Sequence, residues 1–183
     1  DSSQIEARVL AWFAGQEDLV TAFANGEDVY KKMAAEIYDV DMEEVSKDQR
    51  FVGKQTILGS GYSMGPPRFQ EQLRVAGVDI AMKEACRINS IYRDTNWNIV
   101  NLWAKAGYAL TEMFVGNDVT LGPNGLLKAI PSAESTLLKN CGFTLPSGLQ
   151  LRYDGMEVEE GERGPQFTYK MCNGRAKIYG GKV

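Results

Sequence analysis

Four side chains recur at every fourth position from Arg50 to Tyr62, and this spacing constrains the fold more than any other feature. Residues four apart on an α-helix advance about 400°, so Arg50, Lys54, Leu58 and Tyr62 would form one slowly drifting stripe. No proline interrupts this stretch. The pattern predicts a helix over about 46–62, one face of which carries two cations, an aliphatic side chain and a phenol.

The two cations of this stripe suit a triphosphate. Arg50 can form paired hydrogen bonds to phosphate oxygens, and Lys54 can act as a point charge. Leu58 lies one turn further on, where it can contact an incoming base or sugar. An arginine and a lysine at this spacing, taken alone, are usually a solvated helix face, so the prediction depends on the residues that follow.

Those residues are Gly59, Gly61 and Tyr62. Each glycine weakens a helix by roughly 1 kcal/mol. Glycine also removes a side chain where a backbone must approach a ligand closely. Tyr62 can stack on a base. The stretch therefore predicts a helix face that can hold a triphosphate and present a flat surface to a base.

The first eight residues, Asp-Ser-Ser-Gln-Ile-Glu-Ala-Arg, offer carboxylates at Asp1 and Glu6. Phosphoryl transfer to a hydroxyl uses Mg²⁺ ions held by carboxylates, which makes Asp1 a candidate metal ligand. An aspartate before a helix is more often an N-cap, and a first-turn glutamate is also favoured by the helix dipole. Both residues therefore have a structural alternative.

Composition limits the other function classes. The 183 residues suffice for about one domain with a real core, and the net charge of −4 requires any nucleic-acid contact to come from a local basic face. The absence of histidine excludes a histidine base, a Ser-His-Asp triad and histidine metal ligands. Cys86, Cys141 and Cys172 fit neither a disulfide framework nor a zinc site. With no signal peptide or membrane-spanning run, we expect a cytoplasmic protein.

The chain divides into a helical part and a β part. Apolar periodicity and capping residues predict helices at 5–14, 17–24, 28–38, 46–58, 66–76 and 79–114, the last with a break near 95–96. Alternation predicts strands at 145–153 and 167–171, and Asn173-Gly174 predicts a hairpin. The acidic, glycine-rich run 157–164 is expected to be a solvated loop.

The first eight residues resemble motif A (D-x-S-Q-I-E-x-R) of family A DNA polymerases, and residues 50–65 resemble motif B (R-x-x-x-K-x-x-x-[FYL]-G-x-x-Y-x-M-G) of the same family. Both sequences are closest to those of the phage and viral branch. Further likeness lies in 26–34, where Tyr30 stands at a position that is commonly histidine in bacterial enzymes, and in 92–103. The runs 145–153 and 179–182 also resemble family segments.

The resemblance implies an α+β fold, mostly a helical fingers subdomain with flanking antiparallel palm strands. It implies a palm strand and the start of a helix over 1–15, helical fingers over 16–116, and a β-rich segment returning to the palm over 117–183. The thumb and the palm segment with motif C would lie in the remainder of the polymerase chain. We therefore expect this chain to be a fragment that is inactive by itself.

The resemblance also implies a reaction and its residues. A primer 3′-hydroxyl would attack a deoxynucleoside triphosphate at a site with two Mg²⁺ ions, on a primer-template DNA. The implied roles are metal binding and catalysis for Asp1, catalysis and triphosphate binding for Lys54, nucleotide binding for Arg50, Leu58 and Glu6, and template-DNA binding for Tyr62, Gly59 and Gly61. Glu6 matches the residue that excludes a sugar 2′-hydroxyl.

Two departures and two alternatives accompany this interpretation. Leu58 replaces a common Phe or Tyr and offers less stacking area, which indicates a looser hold on the nucleotide; Leu149 replaces an arginine. Single-subunit RNA polymerases share Arg-x-x-x-Lys but lack the Gln-Ile-Glu string. The other alternative is a non-catalytic fingers module that binds nucleotide or DNA and needs a partner or a downstream segment.

Overall fold

The computed structural model describes residues 4–132, 139–161 and 164–178. It divides into two compact units, Asp1–Asn101 and Leu102–Val183. Helices make up the described part of the first unit, and an antiparallel sheet dominates that of the second. The predicted α+β class is confirmed. The predicted boundaries between palm and fingers, after residues 15 and 116, stay predictions.

The helices of the first unit follow the predicted pattern closely. They are α1 (Ile5–Ala14), α2 (Glu17–Ala24), α3 (Val29–Tyr38), α4 (Lys47–Gly61), α5 (Pro66–Val75) and α6 (Met82–Thr95), with a 3₁₀ turn at Met42–Glu44; α7 (Trp97–Val115) begins in the first unit and continues in the second. The predicted long helix over 79–114 breaks at Asn96, as expected, but starts three residues late.

Local hydrogen bonds explain where these helices begin and end. A capping box starts α4: the Gln49 amide donates to Ser46 Oγ over 3.2 Å, and the Ser46 amide donates to Gln49 Oε1 over 2.9 Å. The Asp28 carboxylate caps α3 by accepting from the Lys31 amide. Gly15 ends α1 with φ 69°, a conformation that glycine adopts without strain.

The core of the first unit lies where α3, α4, α5 and α6 meet. α3 and α4 approach closely at Gly53, where an added Cβ would overlap the Tyr30 carbonyl oxygen and lie 2.9 Å from the Ala34 nitrogen. Glycine is therefore required sterically at this crossing. Large apolar side chains fill the space around the crossing, and those that are almost fully buried are Val29, Ile37, Phe69, Leu73, Ile88 and Tyr92.

The described part of the second unit contains six strands in chain order, each antiparallel to the next. They are β1 (Thr120–Leu121), β2 (Leu127–Ile130), β3 (Lys139–Thr144), β4 (Gln150–Gly161), β5 (Gly164–Met171) and β6 (Gly174–Ile178). Buried residues on the sheet and on α7 form its core: Ala109, Leu110, Met113, Cys141, Phe143, Tyr153 and Met156. The predicted hairpin is confirmed, with Cys172 and Asn173 as turn residues between the paired Met171 and Gly174.

Two predictions about the sheet were wrong. The strand expected at 145–153 begins only at Gln150, because residues 145–149 form the turn before β4; Gly148 there has φ 82°, and the Leu145 amide donates to the Leu149 carbonyl. The acidic run 157–164, which was expected to be a loop, is part of a β-strand from Glu157 to Gly161. It extends β4 and pairs with β5, and Glu157 forms an ion pair with Arg175 over 3.1 Å.

Candidate nucleotide-binding site

The predicted stripe lies along α4. Arg50, Lys54 and Leu58 occupy consecutive turns of this helix, and all three are half-buried, whereas Val52 and Thr56 on the opposite side are buried. The prediction placed Arg50, Lys54, Leu58 and Tyr62 on one helix; it is confirmed for the first three, whereas Tyr62 lies just beyond the end of α4. Tyr62 follows directly as the C-cap residue, with 48% of its surface exposed. The stripe is therefore a partly exposed surface that a ligand can reach.

A hydrogen bond joins the two sequence motifs. The Tyr62 hydroxyl donates to Glu6 Oε2 over 2.9 Å, although 56 residues separate them in the chain. This hydrogen bond, with burial as a second cause, raises the pKa of Tyr62 above its ordinary value. Glu6 lies in the first turn of α1, so α1 and the end of α4 present a carboxylate and a phenol side by side.

Arg50 is held by residues at the start of α3. Its Nε donates to Asp28 Oδ2 over 2.6 Å, and its Cζ lies 5.5 Å from the centroid of the buried Tyr30 ring. Burial raises the pKa of Asp28, but the hydrogen bonds from Arg50 and from the Lys31 amide outweigh it and bring the pKa below its ordinary value. The carboxylate therefore stays charged opposite the guanidinium.

Lys54 differs from Arg50 in its surroundings. Among the described residues, none forms an ion pair or hydrogen bond with the Lys54 ammonium group. It lies one turn beyond Arg50 on the half-buried face of α4. Lys54 is thus a cation to which an anionic ligand can bind without first displacing a partner from that part of the chain.

The two glycines near the end of α4, Gly59 and Gly61, are buried against the protein itself. A Cβ on Gly59 would lie 3.3 Å from Met64 Sδ, and a Cβ on Gly61 would lie 3.0 Å from Leu10 Cδ2. Both glycines therefore lie close to other side chains of this chain, although the nearest atoms are side-chain ends and not backbone. The expectation that they approach a template base stays a prediction.

The predicted metal ligand Asp1 lies outside the described residues. Within residues 4–132, 139–161 and 164–178, no group of three or more Cys, Asp or Glu side chains is arranged to hold a metal ion. The described residues by themselves therefore form no such site for the expected Mg²⁺ ions.

Asp28 is the residue of this site that the sequence interpretation missed. The predicted helix over 28–38 includes Asp28, whereas in the structure Asp28 is the N-cap of α3, a role that accounts for only one of its two carboxylate oxygens. The second oxygen binds Arg50, and the two residues are 22 positions apart. Only the packing of α3 against α4 reveals this contact, so helix periodicity alone contains no signal for it.

Comparison with known proteins identifies the family. The family model for DNA polymerase family A matches residues 1–108, which cover α1 to α6 and the first part of α7. The chain belongs to DNA polymerase family A. Both sequence motifs and the Glu6–Tyr62 contact lie inside the matched part, so the family prediction is confirmed.

Individual polymerases resemble the chain over different lengths. The DNA polymerase of Bacillus phage SP02 is 30% identical over 195 residues, which cover 100% of this chain and 28% of that protein. DNA polymerase I of Chloroflexus aurantiacus is 41% identical over 64 residues, covering 35% of this chain and 7% of that protein. The chain therefore spans under a third of the length of these relatives.

A solved structure resembles the fold. The POL domain of Pol1 from M. smegmatis, in complex with DNA primer-template and dNTP, matches with a TM-score of 0.52 and 26% identity. The match covers 62% of this chain and 19% of that one. Across the described residues, no helix is both long and apolar enough to cross a membrane.

Proposed function

We propose that this chain is the nucleotide-binding part of a polymerase that synthesises DNA on a primer-template from deoxynucleoside triphosphates. The observation that carries the proposal is the Tyr62–Glu6 hydrogen bond of 2.9 Å, which brings the two polymerase motifs together at the end of α4. Family membership and the likeness to a polymerase solved with primer-template and dNTP support it.

The proposed contacts follow the stripe along α4. Lys54 and Arg50 would bind the triphosphate, where a cation and a guanidinium offset its charge. Leu58 would contact the base or sugar. Tyr62 would contact the template base, with Gly59 and Gly61 beside it in the last turn of the helix.

Glu6 would face the sugar of the incoming nucleotide. Its carboxylate is held by Tyr62, which fixes the position of an anionic, bulky group at the end of α4. A ribose 2′-hydroxyl next to this group would meet steric exclusion. We expect Glu6→Ala to reduce the preference for deoxynucleotides over ribonucleotides in a polymerase that contains this chain.

Two Mg²⁺ ions are part of the proposal, with Asp1 as one ligand. Family A DNA polymerases generally use divalent metal ions. When bound, such ions would stabilise the attacking and leaving oxygens of the displacement. Because the chain matches only 28% of the SP02 enzyme, complete synthesis is assigned to a longer protein, and the 183 residues alone are proposed to bind nucleotide.

Equilibrium binding of dATP to the purified chain tests the nucleotide site. A charge-assisted contact to phosphate contributes typically about 1.5–3 kcal/mol, so Lys54→Ala should weaken binding roughly ten- to a hundredfold. Lys83→Ala, which removes an exposed lysine at the start of α6, is the matched control and should leave the affinity unchanged. Equal affinities for the two variants would exclude Lys54 as the triphosphate ligand.

The same substitution tests the reaction in a longer polymerase that contains this chain. There, Lys54→Ala should impair incorporation of deoxynucleotides while duplex DNA binding is retained, since the lysine is assigned to the nucleotide and not to the duplex. Unchanged kcat and KM for deoxynucleotides would contradict this assignment.

A further inference from the structure

We propose that Asp28 is a positioning residue, which holds the Arg50 guanidinium so that its two terminal nitrogens face a bound triphosphate. The proposal rests on the nucleotide-binding role of Arg50 given above. Asp28 itself would not contact the ligand. Its effect on binding would pass entirely through the hydrogen bond to Arg50 Nε.

The contacts of Arg50 leave one edge of its guanidinium available. Nε is engaged by Asp28 over 2.6 Å, and the Tyr30 ring lies 5.5 Å from Cζ. Among the described residues, none accepts a hydrogen bond from Nη1 or Nη2. Because a guanidinium is planar, fixing Nε and packing the ring determines where the two terminal groups point. Those groups are the ones that bind phosphate oxygens in pairs.

Asp28 is itself rigidly placed. Its other carboxylate oxygen accepts from the Lys31 amide at the start of α3 over 3.1 Å. The close crossing of α3 and α4 at Gly53 keeps the start of α3 beside Arg50. One carboxylate thus links the end of one helix to a cation on the next, so the guanidinium is ordered before a ligand arrives.

The negative charge of Asp28 acts on the ligand in the opposite direction. A carboxylate near a triphosphate repels it, so by charge alone the loss of Asp28 would strengthen binding. The partial positive charge at the N-terminus of α3 offsets part of this repulsion, and the pair is only partly buried, with 42% of the Arg50 side chain and 35% of the Asp28 side chain exposed. We therefore expect the loss of Arg50 orientation to outweigh the loss of repulsion, so that removal of the Asp28 carboxylate weakens triphosphate binding.

Binding of inorganic triphosphate and of dATP to the 183-residue chain tests the proposal. Asp28→Asn and Asp28→Ser both keep a capping side chain for α3 and remove the carboxylate. Each should weaken binding about threefold to fivefold, the change that one partly exposed ion pair produces in an equilibrium. In an Arg50→Ala background, Asp28→Asn should cause no further loss.

Glu84→Gln is the matched control. Glu84 and Arg87 on α6 form an ion pair of 2.6 Å, with 35% and 46% of their side chains exposed, close to the values for Asp28 and Arg50. This variant loses the same charge and a comparable ion pair, so it measures the charge effect alone. It should bind triphosphate as the unchanged chain does, or slightly more tightly.

A spectroscopic measurement separates positioning from helix capping. The Arg50 Nε–H resonance, assigned by its loss in Arg50→Ala, should shift and exchange faster with solvent in Asp28→Asn, because its carboxylate acceptor is gone. A role limited to capping α3 would leave this resonance unchanged.

The outcomes separate this inference from the proposed function. If Arg50→Ala binds triphosphate as tightly as the unchanged chain, the phosphate role of Arg50 fails and Asp28 has nothing to position. If Arg50→Ala weakens binding but Asp28→Asn behaves like Glu84→Gln, or binds more tightly, the positioning role alone is overturned. Weakening by both Asp28 variants, absent in the Arg50→Ala background, supports it.

Discussion

Replacing Gly53 with alanine should destabilise the first unit, although alanine is the better helix former. The new Cβ would overlap the Tyr30 carbonyl oxygen and lie 2.9 Å from the Ala34 nitrogen and 3.1 Å from the Ala34 Cβ. Two of these three atoms belong to the α3 backbone, which cannot rotate away as a side chain can. The helices must therefore separate, or α4 must shift along α3.

The size of the effect follows from two opposing terms. Alanine gains about 1 kcal/mol over glycine inside a helix. Overpacking of a close contact costs about 1–3 kcal/mol, and a clash with backbone belongs at the upper end. The difference is a net loss of about 2 kcal/mol in the free energy of unfolding.

Urea unfolding followed by far-ultraviolet circular dichroism measures this loss. With a slope of about 2 kcal/mol per molar urea, the midpoint for Gly53→Ala should fall by roughly 1 M. Two glycines provide controls. Gly107→Ala in α7 meets no atom within 4 Å outside its own helix turn and should gain about 1 kcal/mol. Gly59→Ala in α4 has the flexible ends of Met64 and Gln72 as its nearest neighbours and should change little. A midpoint for Gly53→Ala that rises as that of Gly107→Ala does would refute the close crossing.

Three further predictions concern single residues. Ser63→Gly should stabilise the chain by about 0.5–1 kcal/mol, measured by thermal unfolding, because Ser63 has φ 58° and a left-handed conformation strains residues other than glycine. Because the pKa of Asp28 is lowered in the folded chain, its pairing with Arg50 stabilises the folded state at pH values above the ordinary pKa of aspartate, and this stabilisation is lost as the pH falls through the lowered pKa. In a plot of urea midpoint against pH, Asp28→Asn should flatten that part of the curve. An unchanged slope would contradict the pairing. Glu6→Gln should lower the pKa of Tyr62 toward its ordinary value in an ultraviolet titration, whereas an unmoved titration would show that the hydrogen bond does not form in solution.

Local signals were sufficient for the helices and for the stripe on α4. Ser46 and its partner Gln49 cap α4, Gly15 ends α1, and a proline pair opens α5; each acts within a few residues of its own position. The four-residue spacing from Arg50 to Leu58 likewise needs nothing beyond the geometry of one helix. The sequence therefore predicted these elements because their causes are local.

The sheet was harder to predict because its causes are not local. The strands β1, β2 and β3 were not identified individually, and the acidic residues from Glu157 onward favoured a loop by composition. In the structure they continue β4, because the backbone pairs with β5 and Arg175 on the far strand offsets the charge. Cross-strand partners of this kind are unknown until the register is known.

The residues of the proposed nucleotide site differ in whether they already have a partner within the chain. Arg50 and Glu6, which the resemblance assigns to the nucleotide, already have partners in this chain, at distances of 2.6 Å to Asp28 and 2.9 Å to Tyr62. Lys54 has none among the described residues. A triphosphate that bound to Lys54 would break no existing contact there, whereas contact with Arg50 would use only the terminal nitrogens that Asp28 leaves open. Loss of Lys54 should therefore weaken binding more than loss of Asp28, and this order distinguishes a direct ligand from a residue that only positions one.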